Sequence, residues 1–220
     1  MSGVKIKLMK LNIWILETRP RFHLLSIELI LLGTCIAWYD GNLNIAYAVL
    51  AAVGLLLANI SCNVLNDYSD YKQGVDLQTK RTPFSGGSGV LSSGLLRPRQ
   101  VLWLGIICFI MALPVGIYFV IIKGWLLIPI LLIGAISVLF YTPFILRYKW
   151  PEWSPALGMG VLPVLGAYFI QTGAYTLPVV VASIPSGILA HNLLLINGFP
   201  DTEADVIGNR KTLPITMGKR

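Results

Sequence analysis

Charge is scarce in this chain of 220 residues. Asp, Glu, Lys and Arg make up 12% of it, against 55% hydrophobic residues and a mean hydropathy of +0.73. That balance excludes an ordinary water-soluble domain. Strand-like alternation is missing as well: the apolar runs are continuous, which leaves helices to satisfy the backbone in lipid. Cysteine is sparse and odd in number. Cys35, Cys62 and Cys108 fall inside apolar stretches without CxxC spacing, so neither a disulfide framework nor a thiolate metal site is expected. No long polar linker marks a second domain. No basic–aromatic module accompanies the +7 net charge, so nucleic acid is not an expected partner. The first apolar run is too long for the core of a signal peptide, and Trp38-Tyr39-Asp40 at its end offers no small-residue cleavage pattern. It is read as a retained helix.

What is present is a set of six apolar stretches, at 22–39, 44–66, 101–122, 125–146, 155–173 and 176–197. Each is long enough, at about 1.5 Å per residue, to cross a hydrocarbon core. The expected fold class is therefore an all-α polytopic membrane protein, a single domain over 1–220 with the lipid bilayer as its surroundings. Every Lys and Arg except Lys123 falls on one side of these spans, which assigns that side and the N-terminus to the cytoplasm. The one extended polar stretch, from Asp67 to Gln100, is too long to be a mere connector.

Six of the ten carboxylates gather in two clusters, each at the cytoplasmic end of a span. The first reads Asn63-x-x-Asn66-Asp67-x-x-Asp70, with Asp76 beyond it. The second reads Asn197-x-x-x-Asp201-x-Glu203-x-Asp205. Carboxylates held against a bilayer are costly and mark functional sites. The spacing puts Asn63, Asn66, Asp67 and Asp70 on one helix face, and Asn197, Asp201, Asp205 and Asn209 on another. Gly74 is expected to end the first helix and turn Asp76 back toward the others. Gly198 and Pro200 predict a break in the second, freeing carbonyls near its acids. Two facing sets of hard oxygens would suit Mg2+ bridging to a phosphorylated ligand.

These motifs resemble the UbiA superfamily of intramembrane aromatic prenyltransferases. The resemblance rests on Asn66-Asp67-x-x-Asp70 with Asp76, on Asp201-x-x-x-Asp205, and on Gly208-Asn209-Arg210-Lys211-Thr212-Leu213. Thr18-Arg19-Pro20-Arg21, Gly86-Gly87-Ser88-Gly89-Val90-Leu91 and Tyr141-Thr142-Pro143 match as well. The interval from Asp70 to Asp76 is most similar to the branch that prenylates 1,4-dihydroxy-2-naphthoate in menaquinone synthesis. Pro200 stands where that branch often carries Arg. The resemblance implies a nine-helix bundle, of which this chain would hold six, its C-terminal three being absent.

It further implies Mg2+-dependent transfer of a prenyl group from a polyprenyl diphosphate to an aromatic acceptor, through an allylic carbocation. Asp67 and Asp70 would hold one Mg2+ and Asp201 and Asp205 a second, with Asn63, Asn66 and Asp76 completing or orienting the shells. Lys72, Arg81, Arg147, Lys149 and Lys211 would take up phosphate charge, and Tyr141 would face the diphosphate or the carbocation. Two other classes stay open at this point: a transporter of a Mg2+-complexed or phosphorylated solute, and an inactive truncated paralogue. The topology is testable by cysteine accessibility in a background without native cysteines. Ser85→Cys should label from the cytoplasmic side and Lys123→Cys from outside; the reverse pattern would overturn the arrangement.

Overall fold

The computed structural model describes residues 11–79 and 86–218. Ser85 and several of the basic residues used for orientation, Lys5, Lys7, Lys10, Lys80, Arg81, Lys219 and Arg220, lie outside the described residues. Every regular element among the described residues is helical. Six helices make the bundle: α1 (His23–Tyr39), α2 (Ile45–Gln73), α3 (Pro98–Lys123), α4 (Ile128–Phe140), α5 (Trp153–Thr172) and α6 (Leu177–Ile207). α2 packs along α3, α1 lies against α5 and α2, and α5 lies against α6. Large apolar side chains such as Leu24, Ile121 and Ile188 point outward, as lipid-facing residues do. With five helices long and apolar enough to span a bilayer, this is a multi-pass integral membrane protein.

α4 is the exception to the expected set of full-length spans. Instead of running over 125–146, the chain makes a 3-10 turn at Trp125–Leu127 and then a helix that stops at Phe140. Trp125–Phe140 is thus about 24 Å long, at 1.5 Å per residue, against about 30 Å of hydrocarbon. Pro143 explains the stop: it donates no backbone hydrogen bond and disfavours helix in the residue before it. The chain instead folds into turns, Leu146 N–H reaching the Tyr141 carbonyl at 2.9 Å. The shortfall lets the 141–152 segment drop inward at the end of the bundle that holds the acids.

The break expected at Gly198 and Pro200 does not form. α6 runs helical through Pro200 to Ile207. Pro200 removes one backbone donor, and the Thr202 hydroxyl donates back to the carbonyls of Gly198 and Phe199 at 3.0 and 2.8 Å, as a helical threonine does. The interruption lies instead in α5, where Leu157–Val161 is π-helical and Met159 leaves helical geometry. There the backbones of α5 and α6 almost touch: a Cβ on Gly160 would lie 2.6 Å from the Gly187 Cα.

The end away from the acids is apolar. Ile30, Ala51, Phe119, Leu127 and Ile170 form a core there, and Tyr47 meets Phe119 edge-on. Lys123 donates to the Gln171 carbonyl near the end of α5 at 3.1 Å and sits 4.9 Å from the Tyr47 ring centre. Tyr168 donates to Asp40 at 2.6 Å, and Gln171 pairs with the Asn44 backbone. The Gly160 contact gives a direct test of the helix arrangement. Gly160→Val should lower stability by about 1–3 kcal/mol through overpacking, read as a lower melting temperature in detergent. Gly134→Ala, whose added carbon meets nothing within 4 Å, should be silent by comparison.

Candidate active site

The first acidic motif lies wholly on α2. Asn44 starts this helix, its side chain accepting from the Tyr47 amide at 3.1 Å. Gly74 ends it with a left-handed φ of 77°, a conformation that glycine takes without a Cβ penalty. The 3-10 turn Val75–Leu77 then buries Asp76 beside the helix it has left. This is the reversal expected at Gly74.

Asp67 and Asp76 converge on the glycine-rich loop. A Cβ on Gly87 would stand 2.9 Å from Asp76 Oδ2 and 3.3 Å from Asp67 Oδ1. Only glycine leaves room against both carboxylates. The Ser88 N–H donates to Asp67 Oδ2 at 2.6 Å, and the Ser88 hydroxyl donates to Glu17 Oε2 at 2.7 Å. Arg19 places Nη1 3.6 Å from Asp67 Oδ1 and lies 4.7 Å from the Phe22 ring centre. Val90 and Leu91 anchor the loop, with Leu91 packed on Val64 and Val101.

Asp70 and Asp205 form a second grouping, across two helices. Arg210 donates through Nη1 to Asp205 Oδ1 at 2.8 Å and through Nη2 to Asp70 Oδ1. Asn66 Nδ2 donates to Asp70 Oδ2 at 3.1 Å and to the Thr142 hydroxyl at 2.9 Å, tying the motif to the segment after α4. That segment is stitched in turn to the chain after α6. Glu152 accepts from the Leu213 N–H at 2.8 Å, and the Lys211 N–H reaches the Leu146 carbonyl at 3.0 Å. Burial alone would lower the Arg210 pKa, but the Asp70 and Asp205 carboxylates outweigh it and hold the guanidinium charged. Burial raises the Tyr141 pKa, so its phenol stays protonated and able to donate.

Both groupings border one cavity of about 680 Å3. Asn63, Asn66, Asp70, Asp76, Asp201 and Asp205 line one end of it, with Arg19, Arg210 and Tyr141. The rest of the wall is apolar, supplied by residues such as Leu55, Phe109, Leu131 and Leu162, and it reaches Phe119 and Ile170 in the far core. Asn63 lies within this wall and donates to Asn59 at 2.8 Å. On α6, Asn197, Asp201 and Asp205 share the cavity face, Glu203 is exposed, and Asn209 has left the helix with a φ of 54°.

Four of the cations expected to meet phosphate, Lys72, Arg147, Lys149 and Lys211, are exposed and stand off the cavity wall. The fifth, Arg81, lies outside the described residues. The guanidiniums at the acidic end belong to Arg19 and Arg210. Both sit in stretches that carried the family resemblance, and that was the signal that could have singled them out. Glu17, which directly precedes Thr18-Arg19-Pro20-Arg21, and Glu152 are also buried at this end, and neither belongs to a matching stretch.

Among the described residues no three Asp, Glu, His or Cys side chains stand close enough together to hold a metal ion as they are. The donors fit Mg2+ in kind: carboxylate and amide oxygens, with glycine-lined space against Asp67 and Asp76. The arginines now stand at the same oxygens.

The sequence profile of the UbiA prenyltransferase family matches residues 29–220. The chain belongs to this family. Its relatives include the 1,4-dihydroxy-2-naphthoate octaprenyltransferase of Bacillus subtilis, 32% identical over 92% of this chain and 65% of that protein. The enzyme of the same description from Escherichia coli is 24% identical over 94% of this chain and 68% of its own length. The chain thus spans about two thirds of the length of these relatives. Among solved structures, a UbiA homolog from Archaeoglobus fulgidus bound to GPP and Mg2+ superposes with a TM-score of 0.70. It covers 94% of this chain and 69% of that one, at 16% identity, and so shares the fold.

The site carries a pH signature of its own. Burial, and then the charge of Asp67, raise the Glu17 pKa from 4.5 to about 8. The folded chain keeps a proton there that the unfolded chain releases, so stability falls as pH rises from about 5 to 8. Glu17→Gln keeps the Ser88 contact and removes the ionisation. In detergent without divalent cations, the variant should melt with the parent at pH 5 and about 5 °C above it at pH 8. Parallel pH profiles would show that Glu17 is charged in the folded chain.

Proposed function

We propose that this chain transfers a prenyl group from a polyprenyl diphosphate to an aromatic acceptor, with Mg2+, at the cytoplasmic end of the bundle. The acceptor favoured is 1,4-dihydroxy-2-naphthoate, by similarity to the Bacillus and Escherichia relatives. In this reading α1–α6 take six places of a nine-helix bundle, and the N-terminus is cytoplasmic. The observation that carries the reading is the single cavity, acidic at one end and apolar along the rest. That shape suits an amphiphile with an anionic head and a long hydrocarbon tail.

Asp67, Asp70, Asp76, Asp201 and Asp205 are the metal-holding residues in this proposal. Held by these residues, Mg2+ would supply the positive charge that neutralises a diphosphate leaving group. Arg19 and Arg210, at the cavity end, supply cations for the remaining phosphate charge, which a guanidinium grips through paired donors. Tyr141, kept protonated by burial, donates a hydrogen bond to a phosphate oxygen. The allylic C–O bond breaks with its electron pair leaving on the diphosphate. A ring carbon of the acceptor forms the new C–C bond, and the ring then loses its proton. The apolar wall excludes water that would otherwise capture the allylic cation. A transporter would instead place its site near the midplane, whereas here the acids gather at one end.

The assay is transfer from labelled prenyl diphosphate in membranes containing the protein, across a panel of aromatic acceptors that includes 1,4-dihydroxy-2-naphthoate. Asp67→Ala and Asp201→Ala should each lower Mg2+-dependent transfer about a hundredfold or more, with protein levels unchanged. Undiminished turnover in both would remove the site assignment.

A further inference from the structure

One guanidinium joins the two acidic motifs, and its setting is unusual for a permanent tie. The strong structural pairing of an arginine is a fork onto a single carboxylate. Arg210 splits its fork, Nη1 to Asp205 on α6 and Nη2 to Asp70 on α2. Its Nε is buried without a hydrogen-bond partner, so the group is incompletely satisfied where it stands. Both carboxylates are buried, at 7% and 3% exposure, and cannot be left there without a cation. One guanidinium offsets only one of their two charges. A divalent ion in the same gap would offset both.

The backbone around Arg210 allows it to leave. The residue lies beyond the end of α6, past Gly208 and the left-handed Asn209. Its own N–H is held by the Asp205 carbonyl at 3.1 Å. The guanidinium is thus carried on a turn beyond α6, so its withdrawal would call on the side-chain bonds rather than on α2 or α6.

We infer that Arg210 is an exchangeable internal counter-ion. It fills the gap between Asp70 and Asp205 until a divalent cation arrives, and then yields the carboxylates to it. The inference rests on the reading above that a divalent cation binds between the motifs. In the metal-free chain Arg210 acts as a positioning residue: it keeps the two motifs in register at a cost in apparent metal affinity, because the Arg-filled arrangement must first be vacated.

The test is thermal unfolding of the purified protein in detergent, first with EDTA and then along a Mg2+ titration, with no substrate present. Arg210→Gln should melt below the parent in EDTA. It should then reach its half-maximal Mg2+ shift at about tenfold lower concentration, the competitor being gone. Arg210→Lys keeps the charge without the fork and should fall between the two. If Arg210→Gln does not fold, Arg210→Lys against the parent decides the matter in the same direction. A Mg2+ midpoint in the variants equal to or higher than that of the parent would overturn the exchange while leaving the proposed metal dependence intact. No Mg2+ response in any of the proteins, the parent included, would remove both.

Discussion

Buried carboxylates are the constraint to which the rest of this structure answers. Asp67, Asp70, Asp76 and Asp205 are all under a tenth exposed, in a chain with little charge to spare. Carboxylates so placed are tolerated only with cations or hydrogen-bond donors directly against them. Each partner in the structure can be traced to that requirement. The helix 11–17 and the turn after it deliver Arg19, the 86–91 loop delivers the Ser88 amide, and the turn after α6 delivers Arg210. Apart from the helix 11–17 these segments are turns and loops, each bringing a donor inward from outside the bundle.

The architecture follows from having one polar end and one apolar end. At the apolar end the helices meet in a closed core, and Lys123 is absorbed by the Gln171 carbonyl and the Tyr47 ring. At the polar end α4 stops early, and the 141–152 segment fills the space with Thr142, Glu152 and Tyr141 turned toward the acids. α5 is the most buried of the spans, and its glycine contact brings it against α6, the helix that carries the second motif. The cavity runs between these ends, with its polar groups confined to one of them.

Much of this was legible in the sequence, and the reasons differ for what was not. Of the face expected to carry Asn63, Asn66, Asp67 and Asp70, three line the cavity and Asp67 turns to the glycine-rich loop. That face and the reversal at Gly74 follow from periodicity and backbone stereochemistry, both of which act locally. The early end of α4 was missed because hydropathy continues past Phe140 while the regular helix gives way to turns; Pro143 was the signal. Pro200 misled in the other direction: it costs one backbone donor, and α6 stays helical through it to Ile207. The pairing of Asp70 with Asp205 joins residues far apart in the chain and has no local pattern. Arg19 and Arg210 were hidden by their abundance class: in a membrane protein every cytoplasmic Lys and Arg already has a topological explanation. Burial separates these two from exposed Lys72, Arg147, Lys149 and Lys211.

The central claim is that one cavity reads the anionic head and the hydrocarbon tail of a single ligand. The most direct measurement is equilibrium binding of non-hydrolysable prenyl thiodiphosphates of increasing chain length, with and without Mg2+, beside inorganic diphosphate. Affinity should require Mg2+ and should rise with each added isoprene unit until the apolar wall is filled, inorganic diphosphate binding weakest. Binding that ignores chain length, or that is as tight in EDTA as in Mg2+, would contradict the account.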